Sequence, residues 1–175
     1  PKPAKLVVGL LMKDRALFEP LAVKITSIYG PPDLISYWMS FDYTAYYQSE
    51  LGSPLYRRLL TFETLINQQD LAAIKLTTNR LEQAYSQHRK RRVNIDPGYL
   101  LYERFVLASG KNYSHRIYIG RCIYADLTLI YRNGAFETLA EGASTTDSFS
   151  YTVTDNLGAT GTATVTLTID GVNDA

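Results

Sequence analysis

Apolar positions along this chain fall in runs whose period changes, and the period assigns the elements. Leu6-Val7-Val8-Gly9-Leu10-Leu11-Met12 is an unbroken apolar run of the kind a buried strand needs. Asp14 then stands where a helix cap belongs. Leu17, Leu21, Ile25 and Ile28 recur at helical spacing until Gly30 and Pro31-Pro32 end the pattern. Pro20 fits that helix only in its first turn. Leu34 to Phe41, rich in apolar and aromatic residues, reads as a second strand, so the chain opens β-α-β.

From Phe41 to Gly52 the period is lost among Asp42, Tyr43, Tyr46, Tyr47 and Glu50, as in a surface loop or irregular helix. Arg57 to Ile66 carries Leu59, Leu60, Phe62, Leu65 and Ile66 in a spacing that leaves strand and helix both open. Asp70 precedes Leu71, Ile74, Thr78, Leu81 and Tyr85, a predicted helix ending near Arg89-Lys90-Arg91-Arg92, whose charges suit the negative pole of a helix C-terminus. Val93-Asn94-Ile95 is strand-like. Asp96-Pro97-Gly98 reads as a turn, with Asp accepting local hydrogen bonds, Pro fixing φ and Gly permitting a positive φ. Tyr99 to Ser109 then reads as a helix closed by Gly110. His115, Ile117 and Ile119 alternate with Arg116 and Tyr118, and Gly120-Arg121 returns the chain into Ile123, Ala125, Leu127, Leu129 and Tyr131, an antiparallel hairpin. Asn133-Gly134 predicts a further tight turn with a strand from Ala135. Phe149, Tyr151 and Val153, then Ala163, Val165, Leu167 and Ile169, alternate with Ser and Thr, which predicts a two-stranded hairpin over about 148–170.

Charge divides the same chain in two. All 18 Lys and Arg lie at or before Arg132, whereas Glu137 to Ala175 holds six acids, ten Thr and no base. The first part is about +7 and the second −6, beneath a total of +1. With 175 residues, 46% apolar and 20% charged, the chain can bury a real core as one domain with an appendage. Cys122 is its one cysteine, so no internal disulfide framework exists, and no Cys/His spacing suits zinc. No cofactor is expected, because neither a Walker-type loop nor a Gly-rich strand-helix turn occurs. The apolar runs are too short to span a bilayer, and no signal-peptide order stands at the N-terminus, so no membrane partner is expected. A start at Pro1 rather than Met reads as a trimmed product.

Lys5-Leu6-Val7-Val8-Gly9-Leu10, Phe41-Asp42-Tyr43 with Tyr46-Tyr47 and Glu50-Leu51-Gly52, Lys75-Leu76-Thr77-Thr78-Asn79, Arg91 through Leu100, Ser114-His115-Arg116-Ile117-Tyr118 and Ile123-Tyr124-Ala125 through Gly134 occur in order. In these motifs residues 4–136 resemble the bacterial domain-of-unknown-function 4416 family. The resemblance implies no activity; it implies a proline- and aromatic-rich ending with a final helix, which the Thr-rich segment replaces here. Asp147 through Asp155, Gly161 through Ile169 and Gly171-Val172-Asn173-Asp174-Ala175 instead resemble the C-terminal end of a VCBS or cadherin-like repeat. That resemblance implies secreted relatives and calcium at repeat junctions. The expected molecule is a chimaera joined between about Gly134 and Leu139, with residues 1–136 as one domain and 137–175 as a partial repeat covering apolar surface of the first; the alternative is a family member with an unusual tail.

The expected fold is α+β or α/β, with a mixed or largely antiparallel sheet, packed helices and the C-terminal hairpin completing it. Arg91, Arg92 and Arg116, with His115, are the candidate anion-binding residues, since Arg suits bidentate carboxylate or phosphate recognition. The expected partner is an anionic small molecule or nucleic acid, the latter served by the basic run and 14 Tyr. An enzyme is the alternative reading, with Asp96 or His115 carrying a proton and Tyr99 nearby. Asp42, Tyr46, Tyr47 and Glu50 are candidates for a pocket rim, and Cys122 reads as a small filler rather than a reactive thiol. Asp170 and Asp174, with Asp155 and Asn173, are oxygen donors that calcium accepts. Unpaired strand edges predict a homodimer. The first part reads as cytoplasmic, the tail as akin to secreted proteins.

Overall fold

The computed structural model of the chain describes residues 1–42, 46–132 and 134–138, together with the backbone of strands spanning 144–154 and 160–170. Strand β1 (Ala4–Met12) is apolar on both faces and lies inside the sheet: Leu6, Val8, Leu10 and Met12 are buried on one side, Val7 and Leu11 on the other. The Asp14 carboxylate accepts the Ala16 N–H and caps a short 3-10 turn (Arg15–Leu17). Helix α1 (Phe18–Tyr29) follows, with Pro20 in its first turn as predicted, and Gly30 ends it at φ 89°, where a side chain would be strained. Leu21 and Ile25 are fully buried, whereas Ile28 lies exposed at the helix end.

The predicted strand over Leu34 to Phe41 is two strands, β2 (Pro32–Ile35) and β3 (Met39–Phe41), both antiparallel to β4 (Leu55–Ile66). Between them Ser36 breaks the ladder: its hydroxyl replaces its carbonyl as acceptor of the Leu59 N–H, and the carbonyl takes Arg58 Nε instead. Helix α2 (Gln48–Leu51) is a single turn. The ambiguous stretch after Arg57 is therefore strand. β4 pairs with both β1 and β2 and is antiparallel to each, so β1 and β2 run parallel with β4 inserted between them. The β-α-β opening is present, but split.

Helix α3 (Leu71–Ala84) ends at Tyr85, before the basic run. Arg89 to Arg92 do not cap it. Instead Gln87 and Lys90 bond to each other across a tight turn whose central residues, His88 and Arg89, have φ of 52° and 62°. Asp96-Pro97-Gly98 is not a turn either: all three lie inside β5 (Val93–Leu100), opposite Gly9, Val8 and Val7. Gly98 has no positive φ; a Cβ there would sit 2.6 Å from the Val106 carbonyl oxygen, so the glycine admits the neighbouring strand. That neighbour is β6 (Arg104–Ser109), where the sequence predicted a helix. Its buried Val106 and Ala108 alternate with outward residues, the strand period. β7 (Ile117–Tyr118) and β8 (Tyr124–Arg132) form the predicted hairpin around Gly120 and Arg121, and β9 (Ala135–Thr138) pairs with β8 after Gly134 at φ 87°.

The fold is α+β. Its nine-stranded sheet runs β2-β4-β1-β5-β6-β8-β7, with β3 on β4 and β9 on β8. One face packs on the helices: Leu6, Val8, Leu10, Met12, Leu60, Phe62, Val93 and Ile95 meet Leu21, Ile25 and Ile74, and Val106, Ala108 and Ile123 meet Leu71 and Ala72. Fully burying each such Leu, Ile or Phe contributes roughly 1.5–3 kcal/mol. The opposite face carries only a small cluster of Leu11, Phe41, Leu51 and Leu55 with Tyr47 against it. Compact units span Pro1–Glu137 and Thr138–Asp174. In the second, β10 (Ser144–Thr154) and β11 (Thr160–Asp170) pair antiparallel from Ser144↔Asp170 to Thr154↔Thr160 and form their own two-stranded sheet. Asn133, Asp155, Asn173 and Asp174 lie outside the described residues.

Candidate functional site

The site begins at a gap in the sheet. β5 pairs with β1 along its length but with β6 only from Gly98 to Leu100, which leaves its other edge bare at Ile95. Each buried, unbonded backbone group there would cost about 1–3 kcal/mol. Helix α3 fills the gap with side chains two turns apart on one helical face. Glu82 Oε1 accepts the Ile95 N–H at 2.6 Å, and Lys75 Nζ donates to the Ile95 carbonyl at 2.8 Å. Both side chains are buried. Burial pushes the Glu82 carboxyl above its ordinary range, against the opposing pull of Lys75, the Ile95 N–H and Arg91.

Through this gap the charges continue to the face away from the helices. Val93 and Ile95 point into the helix-side core, so Asn94 and Asp96 point to the other side, as do Gly9 and Leu11 across the ladder. Lys75 Nζ reaches Asp96 Oδ1 at 3.2 Å, and Asn94 Nδ2 donates to Asp96 Oδ2. Arg91 completes the network: Nη1 donates to Glu82 Oε2 at 2.9 Å and Asn94 Oδ1 at 2.8 Å, while Nε and Nη2 form a fork on Glu50 Oε1 and Oε2 at 2.8 and 2.7 Å. The Arg91 hydrogen bonds hold Glu50 below the usual carboxylate range, and Glu50 in turn raises Arg91. Burial first, and the Asp96 charge second, push the Tyr47 phenol up to about 12, against the pull of Arg91.

A second lobe lies on the same face. Ala125 and Leu127 of β8 belong to the helix-side core, so Asp126 faces the other way, and Ser109 does likewise on β6. Arg116 Nε donates to Asp126 Oδ2 at 2.9 Å and Nη1 to Ser109 Oγ at 2.9 Å. His115 Nε2 stands 3.7 Å from the same Asp126 oxygen, and its ring stacks on Tyr113 at an interplanar angle of 5°. The Arg116 guanidinium lies 4.7 Å from the Tyr113 ring centre, Lys111 Nζ 3.7 Å from that of Tyr46, and Arg57 4.4 Å from that of Phe41. Each cation–ring contact is worth ~0.5–1 kcal/mol when exposed.

The structure thus places Arg91, Asp96, His115 and Arg116 on one face in two pairs, Arg91 and Asp96 joined through Asn94 and His115 and Arg116 sharing Asp126, with Arg92 apart from them, its Nη2 on Asp14 at 3.0 Å. Tyr99 belongs to the helix-side cluster, away from Asp96. Glu50 joins the site through Arg91, Tyr47 packs on the Leu11 cluster, and Cys122 is exposed in the Gly120 turn at φ 59° rather than filling a core. Asp170 pairs with Ser144 in the tail hairpin. The sequence reading did not single out Lys75 or Glu82 as site residues. Their signal, an apolar-face spacing occupied by one base and one acid, is readable only when the bare strand edge is known. Among the described residues no group of three or more His, Cys, Asp or Glu is placed to hold a metal ion, and no helix is long and apolar enough to cross a membrane.

A family model described as "Domain of unknown function (DUF4416)" matches residues 2–150. It runs past the expected junction at Phe136, whereas the compact units part between Glu137 and Thr138. No curated protein and no solved structure matches.

Proposed function

The chain belongs to the DUF4416 family, whose description assigns no activity, and from that premise we propose that its first unit is a binding domain for an anionic ligand. The ligand sits on the sheet face opposite the helices, between the Tyr46–Glu50 segment and the 111–116 segment. The observation that carries this reading is the seating of Lys111 and Arg116 on tyrosine rings. A ring attracts a cation without occupying its N–H donors, so those of Lys111 can meet ligand oxygens, while Arg116, held by Asp126 and Ser109, supplies positive charge beside them. Tyr46 and Tyr113 are exposed rings on which a planar group can stack.

Calorimetric titration with inorganic phosphate and with a nucleoside monophosphate tests this. Lys111→Gln and Arg116→Gln should each weaken binding by about fivefold or more, the loss of one charge-assisted hydrogen bond. Unchanged affinity in both variants contradicts the reading.

For the second unit we propose the end of a VCBS or cadherin-like repeat. Its support is the continuous register of β10 and β11 and the Thr-rich alternation of the strands. Asp170 is then the residue to follow for calcium. A melting temperature that rises with millimolar calcium, and no longer does so in Asp170→Asn, agrees with this; a calcium-insensitive melt opposes it.

A further inference from the structure

Arg91 is held from within. Its Nη1 spends both hydrogens on buried Glu82 and Asn94, which fix the guanidinium plane, while Nε and Nη2 point to Glu50. The inner partners do not depend on the outer one. Glu50 also accepts the Arg91 backbone N–H, at a long 3.4 Å against 2.6 Å for the Ile95 N–H on Glu82, and otherwise it is the more exchangeable of the two. It projects from a one-turn helix, its side chain is 33% exposed against 6% for Glu82, and both its oxygens lie on the fork in the bidentate geometry that a free carboxylate or phosphate would take.

We propose that Glu50 is an internal stand-in for the ligand: a carboxylate or phosphate displaces it from Arg91 by a side-chain rotation, and Glu50 thereby sets the affinity of the site. This rests on the anion-binding reading above. Glu82 and Asn94 keep the fork aimed after Glu50 leaves. Lys75 and Asp96 stay in place behind it, and the displaced carboxylate returns to water on the exposed side. The ligand class is an oxyanion with two coplanar oxygens free, because a single-oxygen ligand satisfies only one arm of the fork.

The test uses the full chain, inorganic phosphate and acetate, and the Arg91 Nε–H resonance in heteronuclear NMR. Removal of the competitor in Glu50→Ala should tighten phosphate binding roughly tenfold, with the Arg91 resonance shifting on saturation, and Glu50→Gln should fall between the two. Equal or weaker affinity in Glu50→Ala overturns the proposal, as does tighter binding that leaves the Arg91 resonance unmoved. If phosphate shifts Lys111 to Arg116 while Arg91 stays silent in Glu50→Ala, the stand-in role fails and the wider reading survives. If no resonance shifts in either protein, both fail. A cooperative melting transition in both Glu50→Ala and Glu50→Gln, at a lower temperature than in the parent chain, verifies that the comparison is between folded proteins.

Discussion

At the residue scale, the site depends on charges held where water cannot reach them. Lys75 and Glu82 each satisfy half of Ile95 and each keeps its own counter-charge, Asp96 and Arg91, so Lys75→Met or Glu82→Leu alone strands one backbone group of Ile95 and should cost ~1–3 kcal/mol in urea unfolding. The double variant should recover part of that loss, and strictly additive costs would show that the two do not act together. Tyr47 gives a pH signature. Its folded value of about 12 exceeds the ordinary tyrosine value near 10, so the folded state keeps a proton that the unfolded chain releases. Stability should therefore fall as pH rises from about 10 to 12. Tyr47→Phe should flatten that limb and remove one late step from the tyrosinate absorbance titration; an unchanged titration would place Tyr47 in water. Glu50 works in the opposite sense. Its lowered carboxyl contributes stability above its unfolded value, and that contribution is lost as pH falls through the folded one. Of these residues, Arg91 was legible as an anion partner from its type, but its commitment to Glu50 and Glu82 was not, because neither partner is near it in sequence.

At the element scale, misreadings gather at β5 and β6. Asp96-Pro97-Gly98 has the composition of a turn, and nothing local signals that Pro97 lies where β6 has not yet joined and that Gly98 lies where it joins closely. Gly98→Ala, which forces a Cβ toward the Val106 carbonyl, should destabilise by about 1–3 kcal/mol, as overpacking does. A loss within ~0.5 kcal/mol, the range of an ordinary surface substitution, would show that the strands can part at no cost. The basic run was misread for a related reason: charge suited a helix end, but the αL conformation of His88 and Arg89 makes it a tight turn. Asn and Gly are at home in that conformation. Replacing His88-Arg89 by Asn-Gly should raise stability by roughly 1 kcal/mol, from strain of ~1–2 kcal/mol per αL residue. A lower melting temperature would show instead that the two side chains support the fold. The elements β1, α1 and α3 were legible because their burial follows their sequence pattern, and the β7–β8 hairpin from its turn and alternation, although Ile117 and Tyr118 are exposed.

At the scale of the whole molecule, the charge seam and the structural division coincide: basic residues stop at Arg132 and the first unit ends at Glu137. What the sequence could not reveal was that one sheet face carries, beside the small cluster around Leu11, a run of charged and aromatic groups. That follows from both long helices packing on the same side. The consequence is a candidate site drawn from four distant stretches, around Tyr46, Lys75, Arg91 and Lys111, brought together by strand register and by the hydrogen bonds of Lys75 and Arg91. The most direct test is a heteronuclear NMR titration of the full chain with inorganic phosphate. The account predicts saturable shifts confined to Lys111, Tyr113, His115, Arg116, Tyr46 and the Arg91 side chain. Phosphate that moves no resonance, or moves only those of the α1 surface or the tail strands, would contradict it.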